Sequence, residues 1–158
     1  MKDNFEECLH FTLDFEGGKV DDPRDPGGRT NRGITQSTYD VYRTHNHLPH
    51  KDVFDIALFE VEEIYREMYW LKVDGDNLRV GEDLAVFDYA VNSGPGRAKL
   101  AWSRHRLEQT TNAVHGICAG RLSFLQGLRT WPVFGKGWRA RVHACETLAL
   151  QMIGETHG

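Results

Sequence analysis

A hydrophobic stripe that ends on a glutamate and two glycines sets the first constraint on this chain. The stripe has four members at helical spacing: Phe5, Leu9, Leu13 and Glu16. On a helical wheel they fall within about 80° of one another, so Glu16 continues the apolar face. Gly17 and Gly18 follow directly and are typical of a helix stop. The pattern predicts a first helix over residues 4–16 that places a carboxyl group at the edge of the core.

A carboxyl group in that position has a specific chemical use. Apolar surroundings disfavour the ionised form, and the negative end of the helix dipole acts in the same direction, so the pKa of Glu16 is expected to rise. A carboxylic acid that keeps its proton near neutral pH is what a general acid needs to protonate a leaving oxygen. The alternative is a solvated glutamate at a helix end.

The polar stretch that follows offers a second catalytic group. Prolines and glycines between residues 19 and 34 predict a loop and a small irregular hairpin. The stretch supplies the following polar side chains: Asp21, Asp22, Asp25, Thr30, Asn31 and Thr35. Cleavage of a glycosidic bond needs a second polar group that positions water or stabilises an oxocarbenium-like transition state. Asp21 and Asp22 are read as ordinary turn residues, whereas for Asp25 turn chemistry and catalysis both stay open.

The rest of the chain is predicted to be mostly helical. Thr35 is a suitable cap for a helix over residues 36–45, and apolar residues repeat at helical spacing from Leu58 to Trp70. A further helix is expected to stop at residues 92–94, and Pro95 is expected to open the next one. A loop is predicted at residues 110–119, then a short helix through residues 122–128, and a last helix that begins near Gly137. At 158 residues the chain is expected to form one mainly α (α+β) domain.

Composition and charge narrow the functional classes. No apolar run is long enough to span a membrane, and the N-terminus does not resemble a secretory signal. Residues 1–96 hold 10 basic and 20 acidic side chains, and residues 97–158 hold 9 basic and 3 acidic ones. The basic C-terminal third either faces an anionic polymer or complements the acidic part of its own fold. The spacing of cysteines and histidines predicts no metal site and no cofactor.

These motifs together resemble one known family, glycoside hydrolase family 108, which comprises N-acetylmuramidases of phage endolysins and bacterial secretion activators. The signature consists of Glu16-Gly17-Gly18 and Asp25-Pro26-Gly27-Gly28-Arg29-Thr30-Asn31-Arg32-Gly33-Ile34-Thr35. Similar segments downstream are Ile64-Tyr65-Arg66 with Tyr69-Trp70, and Phe87-Asp88 with Val91-Asn92-Ser93-Gly94. The segment Phe134-Gly135-Lys136-Gly137-Trp138 with Arg141-Val142 resembles the peptidoglycan-binding region that usually follows.

The resemblance implies a lysozyme-like helical domain over residues 1–158, with a small β-hairpin after the first helix. Residues 1–96 would form its catalytic part and residues 97–158 a peptidoglycan-binding-like part packed against it. Glu16 takes the position of the catalytic acid. Water is expected to be positioned by Asp25 or by the cluster of Thr30, Asn31 and Thr35.

Sugar binding is expected from aromatic and amide side chains. Aromatic rings offer flat apolar faces to pyranose C–H groups, and Asn92 is suited to bond an N-acetyl group or to cap a helix. The residues expected to bind substrate are Asn31, Tyr69, Trp70, Tyr89 and Asn92. Three aromatic residues set in helical stripes are read as core instead: Tyr65, Trp102 and Trp138.

The sequence therefore predicts a monomeric lysozyme, without cofactor, that hydrolyses the β-1,4 bond between N-acetylmuramic acid and N-acetylglucosamine in peptidoglycan. It is expected to be made in a host cytoplasm, to reach the wall through holin pores as a phage endolysin does, and to bind neither nucleic acid nor the membrane interior. Three alternatives stay open: a lytic transglycosylase, a non-catalytic wall-binding module, and nucleic-acid binding, which only the basic C-terminal third suggests.

Overall fold

Two compact units make up the computed structural model of the protein, which describes residues 4–24 and 28–156. Residues 9–68 form the first, which we call the hairpin unit. Residues 1–8 and 69–158 form the second, which we call the helical unit. The first helix, α1 (Phe5–Phe15), contributes its first turn to the helical unit and its remainder to the hairpin unit.

A short antiparallel hairpin follows α1. Its strands are β1 (Thr30–Asn31) and β2 (Ile34–Thr35), with Thr30 opposite Thr35 and Asn31 opposite Ile34. Backbone hydrogen bonds of 2.8 Å in both directions also join Val20 to Thr30. The prediction of a small hairpin after the first helix is confirmed.

Two helices complete the hairpin unit. The first is α2 (Gln36–His45), whose N-cap is Thr35 as predicted: its side chain accepts a hydrogen bond from the backbone N–H of Thr38. A 3₁₀ turn at Val53–Asp55 leads to α3 (Leu58–Tyr65). The buried Tyr39 hydroxyl of α2 donates to the Glu60 carboxylate of α3, and burial together with that carboxylate raises the pKa of Tyr39 to about 12.

Four longer helices dominate the helical unit. They are α4 (Glu82–Ser93), α5 (Pro95–His105), α6 (Thr110–Gln126) and α7 (Trp131–Thr156). A π-helical turn (Arg66–Trp70) and 3₁₀ turns at Leu71–Val73 and Gly75–Asn77 precede them. The central helix is α4, which is buried from Glu82 to Ala90 and packs against α5, α6 and α7. The predicted stop at residues 92–94 and the predicted start at Pro95 are both confirmed.

The prediction for residues 110–128 was wrong. The segment is one continuous helix, α6, in place of a loop and a short helix. Its buried residues recur at helical spacing: Ala113, Val114, Ile117, Cys118, Arg121 and Leu125. Gly116 lies within this helix, and a Cβ atom there would lie 2.4 Å from the His105 ring. The glycine permits close packing of α6 on the residue that ends α5.

The start of the last helix was also predicted too late. It begins at Trp131, with Pro132 in its first turn where a missing N–H costs nothing. Gly135 lies so close to the Trp131 ring that a Cβ atom would come within 2.5 Å of it. Here too a glycine marks a close contact within a helix.

Two further properties concern membranes and metals. None of the helices in residues 4–24 and 28–156 is long and apolar enough to cross a membrane. Over the same residues, His, Cys, Asp and Glu side chains form no group of three or more that is arranged to hold a metal ion. The three cysteines are buried free thiols, which pack as small apolar side chains.

Candidate active site

Glu16 lies at the point where α1 ends. Its backbone N–H donates to the carbonyl oxygens of Thr12 and Leu13, both at 3.2 Å, so the residue extends the last turn of the helix. The side chain is half-buried. The sequence pattern had placed a carboxyl group at the edge of the core, and the structure does the same.

The hairpin turn lies directly against this carboxyl group. A Cβ atom on Gly33 would lie 2.9 Å from Glu16 Oε2 and 3.2 Å from Glu16 Cδ. Only a residue without a side chain allows that approach. Gly33 has φ +78° and the preceding Arg32 has φ +52°, which are the positive angles required at both central residues of a type I′ hairpin turn. The tight turn therefore brings backbone to the Glu16 carboxyl without side-chain bulk.

Tyr65 closes the same small space from α3. Its hydroxyl donates a 2.6 Å hydrogen bond to the carbonyl oxygen of Arg32. The same Cβ position on Gly33 would lie 2.5 Å from that hydroxyl oxygen. The Glu16 carboxyl, the Tyr65 hydroxyl and the hairpin turn thus meet around one point. Tyr65 is 2% exposed and was predicted as core, and its hydroxyl is the part that the sequence pattern did not explain.

Three side chains fasten the hairpin to the segment 51–55. The Asn31 amide donates to the Val53 carbonyl at 3.1 Å, and the Gln36 carbonyl oxygen accepts from the Val53 N–H at 2.7 Å.

Arg29 forms ion pairs with Asp52 and, at 3.3 Å, with Asp21. The guanidinium of Arg29 also lies 4.1 Å from the centre of the Phe54 ring. These contacts hold the turn in place while Gly33 itself stays exposed to solvent.

Two of the predicted polar candidates have structural tasks. The Asn31 side chain is buried, and its amide donates to the carbonyl oxygens of Val53 and Phe54. The Thr35 hydroxyl caps α2 and bonds the hydroxyls of Ser37 and Thr38 at 3.1 and 3.0 Å. The reason in both cases is local: a hairpin joined directly to a helix needs a cap and an anchor. A role of Asn31 or Thr35 toward substrate or water stays a prediction beside these tasks.

Thr30 and Asp25 differ from that pair. Thr30 is half-buried on β1, on the hairpin face opposite to the buried Asn31 side chain. Asp25 lies outside the described residues. Both stay candidates for the group that positions water.

The remaining substrate-binding candidates belong to the helical unit. Trp70 is 1% exposed, packs edge-on against Phe5 and Phe87, and donates from Nε1 to Asp76 at 2.8 Å. Tyr89 is buried as well. Burial leaves little of either ring open to a sugar, and substrate binding by these two stays a prediction. Tyr69 and Asn92 are half-buried and stay predictions.

A buried ionic cluster in the helical unit was not predicted. Asp88 of α4 is fully buried and accepts from Arg121 at 2.8 Å and from Arg141 at 2.8 and 3.1 Å. Burial alone would raise the pKa of Asp88, but the two guanidinium groups outweigh it and hold the pKa below the ordinary value of 3.8. The only hint of this cluster in the sequence was that Arg121 and Arg141 each stand at a core position of an apolar helix.

Comparisons with known proteins bear on the family and the fold of the chain. The sequence profile of the family described as Glycosyl hydrolase 108 matches residues 9–94. Among solved structures, the chain is similar to SagA of Brucella abortus, with 33% identity and a TM-score of 0.78 over 94% of this chain and 95% of that chain. No curated protein sequence matches it.

Proposed function

Because the chain belongs to glycosyl hydrolase family 108 and has a mainly helical, lysozyme-like fold, we propose that it is a peptidoglycan hydrolase. More specifically, we propose an N-acetylmuramidase that cleaves the β-1,4 bond between N-acetylmuramic acid and N-acetylglucosamine. One observation carries the proposal: the half-buried Glu16 carboxyl at the end of α1, faced by an exposed glycine turn.

In the proposed reaction Glu16 is the general acid. Its proton goes to the oxygen of the leaving sugar as the glycosidic C–O bond breaks, and the adjacent sugar takes on oxocarbenium character. Gly33 lets the hairpin backbone lie against the carboxyl, and Tyr65 holds the turn through the Arg32 carbonyl.

A water molecule then attacks the anomeric carbon. Thr30 and Asp25 are the groups that we propose to position it. A hydroxyl group cannot form a glycosyl–enzyme ester as a closely placed carboxylate can, and a water held between two distant groups attacks from the opposite face of the sugar. With Thr30 as the partner the expected outcome is inversion at the anomeric carbon.

The surroundings of this reaction are part of the proposal. We propose that residues 97–158 assist in holding peptidoglycan and that the protein acts as a monomer on the wall, without a nucleic-acid partner. The motif resemblance to endolysins and secretion activators supports a role in phage lysis or in secretion, with holin-dependent release in the first case. Tyr69 and Asn92 are the proposed sugar contacts of the helical unit.

Clearing of purified peptidoglycan tests the proposal. We expect Glu16→Gln to lower the clearing rate by about 10²- to 10⁴-fold, which is the usual contribution of a general acid. Glu6→Gln is the matched control, since Glu6 stands on the same helix and is exposed; it should clear at the wild-type rate.

Mass spectrometry of the released fragments identifies the reaction. Reducing N-acetylmuramic acid ends identify a muramidase, and 1,6-anhydro ends identify a lytic transglycosylase, which uses the same acid without water. Reducing N-acetylglucosamine ends would show that the other bond is cleaved. Equal clearing by wild type and Glu16→Gln would remove Glu16 from the mechanism.

A further inference from the structure

Aromatic and aliphatic side chains stand exposed around the first two turns of α7. We call this the α7 patch and define it by four residues: Trp131, Val133, Phe134 and Trp138. Val133 is 75% exposed and Phe134 is 52% exposed, while both tryptophans are half-buried. The rings of Trp131 and Phe134 lie 6.3 and 5.6 Å from the ring of Trp138. Large apolar side chains gathered at one place on a surface usually mark a binding site.

The patch continues the buried face of the same helix. Trp138 precedes the buried Cys145 by two helical turns, and Phe134 precedes Trp138 by one further turn. The stripe that fills the core along the rest of α7 is thus half exposed at residues 131–138. Val133 points away from that stripe and protrudes further, so the apolar surface wraps around the helix.

The charge around the patch has one sign. Residues 109–145 contain no aspartate or glutamate. Two of the arginines in this range, Arg121 and Arg141, form ion pairs with the buried Asp88. The other two arginines, Arg129 and Arg139, and the one lysine, Lys136, are exposed. A shallow groove of about 510 Å³ beside Trp131 is lined by Lys136, Arg139 and His143, so the apolar patch adjoins a basic surface.

We propose that the α7 patch binds the surface of an anionic phospholipid membrane. Tryptophan and phenylalanine side chains flanked by lysine and arginine are suited to the boundary between lipid headgroups and acyl chains. The basic side chains would meet lipid phosphates, and Val133 and Phe134 would enter the boundary. Such binding is peripheral, and it holds whichever reaction the hairpin unit catalyses.

The geometry of the rings favours lipid over a glycan chain. A sugar stacks on a flat, open ring face, but the Phe134 and Trp138 planes are inclined by 32° and the Trp131 and Trp138 planes by 43°. The Arg139 guanidinium lies 5.6 Å from the centre of the Trp131 ring and occupies that side of it. Val133, the most exposed member of the patch, has no ring to stack on a sugar. The patch is therefore a protruding apolar cluster and not a platform.

Binding to vesicles tests the proposal with the intact protein. Wild type should co-sediment with vesicles of phosphatidylethanolamine and phosphatidylglycerol, and should bind vesicles of phosphatidylcholine much more weakly. The double variant Val133→Ser/Phe134→Ser should bind the anionic vesicles at least about ten-fold more weakly. Lys136→Gln/Arg139→Gln should lower binding by about 30-fold at low salt, since each basic residue near an anionic surface adds about 1 kcal/mol.

Leu107→Ser is the matched control. Leu107 is 85% exposed, belongs to the same unit and follows the basic Arg104 and Arg106, but residues 103–123 around it contain no tryptophan, tyrosine or phenylalanine. It should bind vesicles as wild type does. All four substituted positions of the patch variants are exposed, so folding should be retained, and thermal unfolding checks this.

Several outcomes would overturn the proposal. One is wild type that does not bind anionic vesicles, or that binds neutral ones equally well. Another is Val133→Ser/Phe134→Ser with undiminished vesicle binding. If these substitutions instead abolish pelleting with purified peptidoglycan, the patch binds the wall. If they dissolve a dimer seen by sedimentation velocity while wild type ignores vesicles, the patch joins two copies of the chain.

Discussion

Two carboxyl groups, one in each unit, have opposite surroundings. Asp88 in the helical unit is fully buried and its oxygens accept hydrogen bonds from two arginines. Glu16 in the hairpin unit is half-buried beside a turn that has no side chain at its nearest point. The first arrangement satisfies a charge permanently and leaves no room for a ligand. The second leaves the carboxyl group partly exposed, next to a turn residue that is itself exposed to solvent, and proton transfer to a substrate requires such access.

The difference shows that burial of an acidic residue does not by itself identify a catalytic one. Asp88 is the more deeply buried, yet its pKa is held below the ordinary value by the two guanidinium groups, so it stays ionised. A general acid must instead hold a proton at working pH. Arrangement of neighbours, more than depth, separates the structural carboxylate from the catalytic candidate.

The largest effect on stability is expected for Asp88→Asn. Removing the negative charge leaves two guanidinium groups buried without their counter-charge, and breaking a buried ion pair in this way costs about 3–5 kcal/mol. Chemical denaturation should show the lower free energy of unfolding. Clearing activity per folded molecule should be retained at low temperature. Glu16→Gln should have the reverse effect: it should lower activity with little change in the free energy of unfolding. Equal stability of the two variants would contradict the structural role assigned to Asp88.

Gly33→Ala tests the close approach of the turn to Glu16. The new methyl group would come within 3 Å of the Tyr65 hydroxyl and the Glu16 carboxylate, in addition to the strain of a positive φ. Strain at such a position costs about 1–3 kcal/mol, and a shift of Glu16 should lower clearing by about 100-fold.

Gly28→Ala is the control for that substitution. Gly28 has nearly the same φ, +75°, but the nearest atom to an added Cβ is Gln36 Cβ at 3.9 Å. It should show the cost in unfolding free energy without the same loss of activity. If both variants lose activity equally, the contact between the turn and Glu16 does not matter for the reaction.

The pH dependence of stability should separate Asp88 from the other carboxyl groups. Its pKa is lowered on folding, so its ion pairs contribute stability above the unfolded pKa of about 3.9, and this is lost as the pH falls through the folded value. One proton changes the unfolding free energy by at most about 1.4 kcal/mol per pH unit. The gap between wild type and Asp88→Asn should therefore narrow below pH of about 4.

Asp83 contributes with the opposite sign. Burial raises its pKa despite hydrogen bonds from the Asn4 amide and from the N–H groups of Leu84 and Gly81. Its ionised form therefore costs stability near neutrality, and this cost is relieved as the pH falls. The contribution of Asp83 cancels in the difference in unfolding free energy between wild type and Asp88→Asn, because both proteins contain Asp83. A gap that stays constant down to pH of about 2 would contradict the role assigned to Asp88.

The smallest expected effects come from the two threonines of the hairpin. Thr35→Ala removes the N-cap of α2 and should cost about 1 kcal/mol of stability while leaving the clearing rate per folded molecule unchanged. Thr30→Ala should lower the clearing rate if its hydroxyl positions water, with little change in unfolding. If Thr35→Ala instead lowers the clearing rate and Thr30→Ala lowers stability, then Thr35 takes part in the reaction and Thr30 is structural.

Much of the hairpin unit was predictable because its signals are local. Periodicity and the Gly17-Gly18 stop placed Glu16 at the end of α1, and Thr35 was found as a cap from its position before the α2 pattern. The turn at Arg32 and Gly33 needs only two residues with positive φ. Each of these features depends on neighbours within a few positions of the chain.

Features that join distant residues were not predictable in the same way. The Arg32 carbonyl and the Tyr65 hydroxyl are separated by 33 positions, and Asp88 and Arg141 by 53. A pattern shows that Tyr65 is buried but not what its hydroxyl contacts. Likewise the sequence does not show that the His105 ring lies beside Gly116. Nor does it show that Trp70 and Tyr89 are buried.

The sequence by itself determined the ends of the first two helices, the break between α4 and α5, where the chain turns back in a hairpin, and which carboxyl group stands at the end of the first helix. Those outcomes follow from backbone propensity and from the period of apolar residues. The tertiary structure alone decided which glycines are close contacts, which polar side chains anchor the fold, and how closely the hairpin turn approaches Glu16. Packing sets these, because they depend on the distances between residues that the chain order keeps far apart.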